Sequence, residues 1–250
     1  MNGSDRQAYD RGVSVFSPDG RLYQVEYARE AVRNGTAVVG VRGADGVVLA
    51  ADARTPSPLL VDGSVEKLHD VDGRLGAATA GHVADGRRVV DFARRRAQTE
   101  RLRYDQPVGV EPLATAVADH VQEATQAGGT RPFGAGLLVA GVDGNARAAG
   151  TGERPRLFEV DPSGSPSEWH ATAIGGGADA AREHLEREYD PDVGPLGARN
   201  LALGALAATI DADGFAPSDV AVAVADADGY RSLDAGERAS ALDEAGVRAS

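Results

Sequence analysis

The sequence predicts an α+β fold arranged as a four-layer αββα sandwich, forming one main domain within 250 residues. Two observations lead there. Strand-like runs arrive in blocks and helical patterns in pairs, unlike the βα alternation that builds a parallel sheet. Several strand runs, such as LLVAGV at 137–142, are apolar throughout, as strands covered on both faces are. Two stacked antiparallel sheets between two helix layers satisfy both.

Each element follows from local pattern. Ser17-Pro18-Asp19-Gly20 is a tight turn, with proline presetting φ at its second position. Leu22, Val25, Ala28 and Val32 then recur at helical spacing, with Arg21, Arg29, Glu30 and Arg33 on other faces, and Gly35 ends the helix. Thr36 to Arg42 and Gly46 to Ala53 are β-rich runs joined by the hairpin signal Gly43-Ala44-Asp45, and Arg74 to Gly81 continues the strand character. Val83, Val90, Ala93 and Ala97 mark a helix running to about Arg103, and Leu113, Val117 and Val121 mark a second. Strands are expected at Gly134 to Val142, Arg156 to Val160 and Ala171 to Ile174, then helices near Ala178 to Tyr189 and Ala198 to Ile210. Val220 to Ala225 and Tyr230 to Leu233 complete the strands, a tail from Glu237 reads as helical, and no linker exceeds the stretch Asp190 to Pro195.

Composition narrows the function. Net formal charge is −12, so a phosphate backbone would meet a repulsive field and nucleic acid is not an expected partner. No run of about 18 apolar residues marks a membrane span, and the first residues lack a charged-then-apolar export pattern, so a cytoplasmic protein is expected. The absence of cysteine removes disulfides, thiol catalysis and thiolate metal sites. Asp outnumbers Glu 24 to 14, and of 26 basic residues only Lys67 is a lysine. Such an Asp-rich, Lys-poor surface suits concentrated salt, where self-repulsion is screened within a few ångströms.

No cofactor or metal is expected. Gly175-Gly176-Gly177 precedes a helix, but no Lys-Ser/Thr pair follows to make a phosphate loop. The five histidines show no metal-ligand spacing. Arg87, Arg88, Arg94, Arg95 and Arg96 form a basic run that reads as a solvated or subunit-contacting helix face.

The segment YDRGVSVFSPDGRLYQVEYAREAVRNG, residues 9 to 35, closely resembles the N-terminal signature of proteasome α-subunits. The resemblance extends to about Leu233 and is good through VEKLHDVDGRLGAATAGHVADGR and moderate at DPSG (161 to 164) and ATAIGGG (171 to 177). It implies the Ntn-hydrolase-like proteasome subunit fold, in an archaeal, haloarchaeal type of chain. Residues 1–35 would be gate tail, turn and helix, and residues 36–250 the sandwich domain. Seven α-subunits would form a ring on the proteolytic β-subunits and gate the passage of unfolded protein. An AAA ATPase unfoldase would be the activator.

The same resemblance raises a catalytic alternative. Thr36 after Gly35, Asp52 and Lys67 stand at spacings similar to the threonine, acid and lysine of catalytic β-subunits. A threonine nucleophile there uses its own free amine as base, which requires cleavage before Thr36. Because residues 9–35 match the α-type helix and not a propeptide, no catalytic residue is expected. In the family, the lysine matching Lys67, with glycines matching Gly35 and Gly81, receives the C-terminal carboxylate of an activator tail, and residues matching Tyr9, Asp10, Arg11, Pro18 and Tyr27 belong to the gate. Relatives more often carry Ser-Gly-Leu where this chain has Ala80-Gly81-His82.

Overall fold

The computed structural model describes residues 23–55, 57, 59–61, 63–126, 131–143, 154–211 and 213–249. In chain order, the elements begin with helix α1 (Tyr23–Arg33), hairpin β1 (Val38–Arg42) and β2 (Gly46–Asp52), then β3 (Leu68–Asp70) and β4 (Gly76–Gly81). A helix pair follows, α2 (Val83–Tyr104) and α3 (Val110–Gln126), and then β5 (Ala135–Asp143), β6 (Arg154–Val160), β7 (Pro166–Glu168) and β8 (Ala171–Ile174). The second helix pair is α4 (Ala178–Glu188) and α5 (Pro195–Ala207), followed by β9 (Val220–Asp226), β10 (Gly229–Ser232) and α6 (Ala235–Ala245).

Among the described residues the strands form two five-stranded sheets, ordered β10-β9-β2-β1-β8 and β3-β4-β5-β6-β7. Every pairing between these strands is antiparallel. Strand alternation divides the side chains among three cores. In β1 and β2, Val39, Val41, Val48 and Ala50 face the α4–α5–α6 layer with Leu203, Leu206 and Leu242. Val38, Val47, Leu49 and Ala51 face the other way, meeting Ala78, Ala80, Leu138, Ala140 and Leu157 between the sheets. Beneath the second sheet, Leu137, Val139, Phe158 and Val160 pack on Val89, Val90, Leu113 and Val117 of α2 and α3. Each fully buried Leu or Val contributes on the order of 1.5–3 kcal/mol relative to exposure. The four layers are therefore those the sequence predicts.

Boundaries differ where the local signal is short or displaced. β3 and β7 have no counterpart in the pattern, being three residues each, too short to display a period of two. Both are edge strands, where brevity limits unwanted pairing. Helix α5 starts at Pro195, with Gly194 as its cap, rather than at Ala198; proline suits the first helical position because its missing N–H would have had no intrahelical partner. Helix α6 begins two residues before Glu237, because Asp234 caps it and exchanges hydrogen bonds with Glu237 in a capping box. The stretch 190–195 is no linker between units: Val193 packs on the helix-side core and its carbonyl accepts from the Ala44 amide at 2.9 Å.

Helix α1 positions the candidate site. Val25, Ala28 and Val32 are its buried stripe, and Val32 enters the core between the sheets. Arg29 on its flank donates from Nη2 to Asp161 Oδ2 at 2.7 Å and from Nε at 3.2 Å, and from Nη1 to Glu26 Oε1 at 2.8 Å. Asp161 in turn organises the turn after β6, its Oδ1 accepting from the Ser163 and Ser165 amides and from Ser163 Oγ. Leu22 and the turn at 17–20 lie outside the described residues.

Candidate functional site: the Thr36, Lys67, Gly35 and Gly81 cluster

Helix α1 ends where the sandwich begins. The Asn34 amide donates to Glu30 O and the Gly35 amide to Val32 O, and the chain passes directly into β1. Gly35 rests on the end of β4 so closely that a Cβ on it would stand 2.4 Å from the Gly81 amide nitrogen. Gly81 has φ of +107°, and a Cβ there would stand 2.4 Å from Gly134 O. Two main chains thus touch where side chains would separate them. Gly35 and Gly81, which the family resemblance groups in an activator pocket, are neighbours within this chain, and their contact has a packing reason of its own.

Lys67 completes the cluster. Its carbonyl accepts from the Thr79 amide at 2.9 Å, holding the residue beside β4. Its Nζ donates to Thr36 O at 3.0 Å, one residue beyond Gly35. Burial pulls the ammonium down to about 8, against the opposing pull of the Asp52 carboxylate. Lys67 makes no ion pair among the described residues, and its ammonium has donor capacity beyond the bond to Thr36 O.

Thr36, Asp52 and Lys67 are also brought together, and their arrangement bears on the catalytic alternative. Thr36 Oγ1 donates to the Asp52 carbonyl at 2.8 Å, so its proton is engaged with the main chain. The Asp52 carboxylate, 2% exposed as a residue, is gripped by Arg54: Nη2 donates to Oδ2 at 2.7 Å, while Nε and the Arg54 amide each donate to Oδ1 at 3.0 Å. The Thr36 nitrogen is joined to Gly35 in a peptide bond, and an acylated nitrogen cannot serve as a base. Gly35 itself is held from both sides, its carbonyl accepting from the Gly176 amide at 2.7 Å.

A second anchor lies just past Gly81. Arg131 grips Asp85 with two hydrogen bonds, 2.6 Å to Oδ2 and 3.0 Å to Oδ1, and the Gly134 amide donates to Oδ2 at 2.9 Å. Burial pushes the Asp85 carboxyl up, but these donors outweigh it and hold the group below the usual carboxylate range. Since the His82 amide donates to Gly134 O at 2.8 Å, Asp85 indirectly fixes the backbone around Gly81. His82 is exposed, with Nδ1 3.9 Å from Asp85 Oδ1.

The structure therefore gathers Gly35, Gly81 and Lys67 around the α1–β1 junction. Tyr27 sits on the solvent face of α1, 58% exposed, and Tyr9, Asp10, Arg11 and Pro18 lie outside the described residues. Sequence reading missed Arg54, Asp85 and the Arg29–Asp161 tether. The one available signal was an acidic residue in the first turn of α2, where a carboxylate complements exposed helix amides.

Fold and site define a chain of the Ntn-hydrolase-like αββα class in which the threonine position is internal to the chain, joined through Gly35 to the preceding helix. Comparison with known families gives the particular one. The family described as proteasome subunit matches residues 32–225, and the N-terminal signature of the A-type proteasome subunits matches residues 9–31. The chain is 54% identical over 247 residues to a proteasome alpha subunit of Halobacterium salinarum, covering 98% of this chain and 94% of that one. It is 57% identical over 208 residues to the proteasome alpha 2 subunit of Haloferax volcanii, covering 83% and 80%. To the proteasome alpha 2 subunit of Haloarcula marismortui it is 53% identical over 226 residues, covering 90% and 89%. The chain belongs to the proteasome subunit family, as an α-type member of the 20S particle.

Proposed function

We propose that this chain is a non-catalytic ring subunit that gates entry to the proteolytic β-rings and docks the C-terminal tails of an ATPase activator. The observation that carries the reading is the α1–β1 junction. Thr36 is internal, its hydroxyl is spent on Asp52 O, and the helix before it is tied down by Val32, by Arg29–Asp161 and by the Gly35–Gly81 contact. Removing that helix would expose an apolar stripe and break an ion pair, which is not the design of a segment to be shed.

The cluster has the chemistry of a carboxylate site. Lys67 supplies a compact cation whose only hydrogen bond among the described residues goes to Thr36 O. An arriving chain-terminal carboxylate would pair with the ammonium and raise its proton affinity toward the ordinary lysine value of 10.5. The Lys67–Thr36 bond links that event to the base of α1, and so to the tail that precedes it. Seven identical or closely related chains in a ring, stacked on β-subunits, is the assembly this reading requires, with unfolded protein as the cargo. Among the described residues no helix is long and apolar enough to cross a membrane.

Co-expression with the β-subunit of the same organism, followed by electron microscopy in high salt, tests the assembly. Peptide hydrolysis by the particle with and without activator tests the site. Lys67→Ala should abolish stimulation and leave basal hydrolysis and ring assembly intact; undiminished stimulation would remove Lys67 from the docking role. A mature chain beginning at Thr36, read by mass spectrometry, would instead establish the peptidase alternative.

A further inference from the structure

Away from the Lys67 cluster, a cavity of 380 Å³ opens between the outer helices and the first sheet. Val48 of β2, Val224 of β9 and Leu233 form its floor, Ala198 of α5 forms a wall, and Leu196 stands at the lip, 62% exposed. The volume lies within the roughly 300–1,000 Å³ of ligand pockets, and an apolar interior with a few polar groups is their usual chemistry.

The charges around the mouth are unequally matched. Arg231 Nη1 donates to Glu237 Oε1 at 3.0 Å, and the other oxygen of Glu237 accepts from the Asp234 amide at 2.8 Å. Arg199 is paired with Glu244 at 2.5 Å. Asp45, at the β1–β2 turn, and Asp226, at the end of β9, have no cationic partner among the described residues. These two carboxylates also wall a second recess of 330 Å³, shared with Pro155 and Asp228. The Asp228 amide donates to Asp226 Oδ1 at 2.9 Å, which fixes the turn, and the Asp228 carboxylate has no ion pair among the described residues either. An apolar slot and a carboxylate-lined recess thus lie side by side, divided by Asp45 and Asp226.

We propose that this double cleft docks a peptide segment of a partner protein in which a large apolar side chain is followed by an arginine or lysine. The apolar side chain fills the slot over Val48 and Val224, and the cation enters the recess between Asp45, Asp226 and Asp228. A purely apolar ligand would desolvate the two carboxylates without pairing them, and an acidic segment would be repelled. A compact organic cation would occupy one recess and leave the other empty, whereas neighbouring side chains on one backbone reach both.

The probe is a fluorescein-labelled peptide, acetyl-Gly-Trp-Arg-Gly-amide, compared with the same peptide carrying Glu in place of Arg. Binding to the assembled particle is followed by fluorescence anisotropy at 1 M KCl, where the screening length of about 3 Å suppresses general attraction of cations to an acidic protein. The Arg peptide should bind and the Glu peptide should not. The double variant Asp45→Asn, Asp226→Asn should weaken binding by about tenfold or more, as loss of contact charges does. Ser240→Trp, which places an indole at the rim of the slot, should weaken it independently of charge. Equal binding of the two peptides, or binding unchanged by either variant, would overturn the proposal. So would failure of the Arg peptide to bind, including the case where electron microscopy shows a second copy of the chain covering the cleft.

Discussion

Gly35 and Gly81 meet main chain to main chain, with the space for a Cβ on Gly35 ending 2.4 Å from the Gly81 nitrogen. That contact joins the end of α1 to the end of β4 and sets where Thr36 enters the sheet. Alanine at either position has to push two backbones apart, and at Gly81 it also has to adopt a φ of +107°. Gly81→Ala should cost about 1–3 kcal/mol or more, as overpacking does, with Gly35→Ala at the lower end of that range. Denaturant unfolding of the variants measures it; unaltered midpoints would show that α1 does not bear on β4 as described.

Lys67 gives a pH signature. Its folded-state value of about 8 lies below its ordinary 10.5, because burial disfavours the ammonium. Between those values the unfolded chain binds a proton that the folded chain does not, so this residue makes stability rise with pH through that window. Below about 8 both states are protonated and the full cost of burial is present. Lys67→Met should flatten the rise in stability between pH 8 and 10.5, read from unfolding midpoints of the two proteins in parallel. A difference curve with no slope there would show that Lys67 is solvated.

For the proposed docking role the same group acts in the opposite sense. The cation that would hold a carboxylate is lost as pH rises through about 8 in the free site. Activator stimulation should therefore weaken above that value, while basal hydrolysis changes less. Titrating stimulation against pH at fixed activator concentration checks it; stimulation that holds constant well above that value would argue for a different anchor.

The Arg29–Asp161 pair should couple α1 to the turn after β6. Burial pushes the Asp161 carboxyl up, but the donors from Ser163, Arg29 and Ser165 prevail and hold it below its ordinary 3.8. Its stabilising contribution is present above that ordinary value and is lost as pH falls through the folded one. A double-mutant cycle on Arg29→Ala and Asp161→Ala should return a coupling of about 0.5–1 kcal/mol, modest because Arg29 is partly exposed. A coupling of zero would make the pair incidental to holding the helix.

Deleting residues 2–12 should raise basal peptide hydrolysis by the assembled particle if the tail obstructs entry. Hydrolysis at the intact level would count against a gate in those residues.

The unfolding midpoint should rise from low to multimolar KCl, because salt screens the self-repulsion of 38 acidic against 26 basic residues. A midpoint indifferent to salt would mean that repulsion does not limit this fold.

Much of this was legible in advance because it depends on neighbours in the chain. The stripe Val25, Ala28, Val32 marks α1 at helical spacing, and LLVAGV marks a strand buried on both sides. The hairpin of β1 and β2 follows from apolar runs flanking a Gly-Ala-Asp turn. Three-residue strands such as β3 fall below the length at which any period shows, although β3 is what carries Lys67 to the end of β4. The Lys67, Gly35 and Gly81 grouping was reachable only through family resemblance, since nothing in their spacing brings them together.

By itself, then, the sequence determined the αββα class, the internal position of Thr36 and the amphipathic helix before it, since periodicity and turn chemistry are properties of adjacent residues. Only the tertiary structure decided that Arg54 takes the Asp52 carboxylate, that Lys67 bonds Thr36 O, and that Arg29 reaches Asp161 across 132 positions of chain. Such pairings are selected by which groups the packed sheets bring within about 3 Å and shield from water, and no local pattern carries that information.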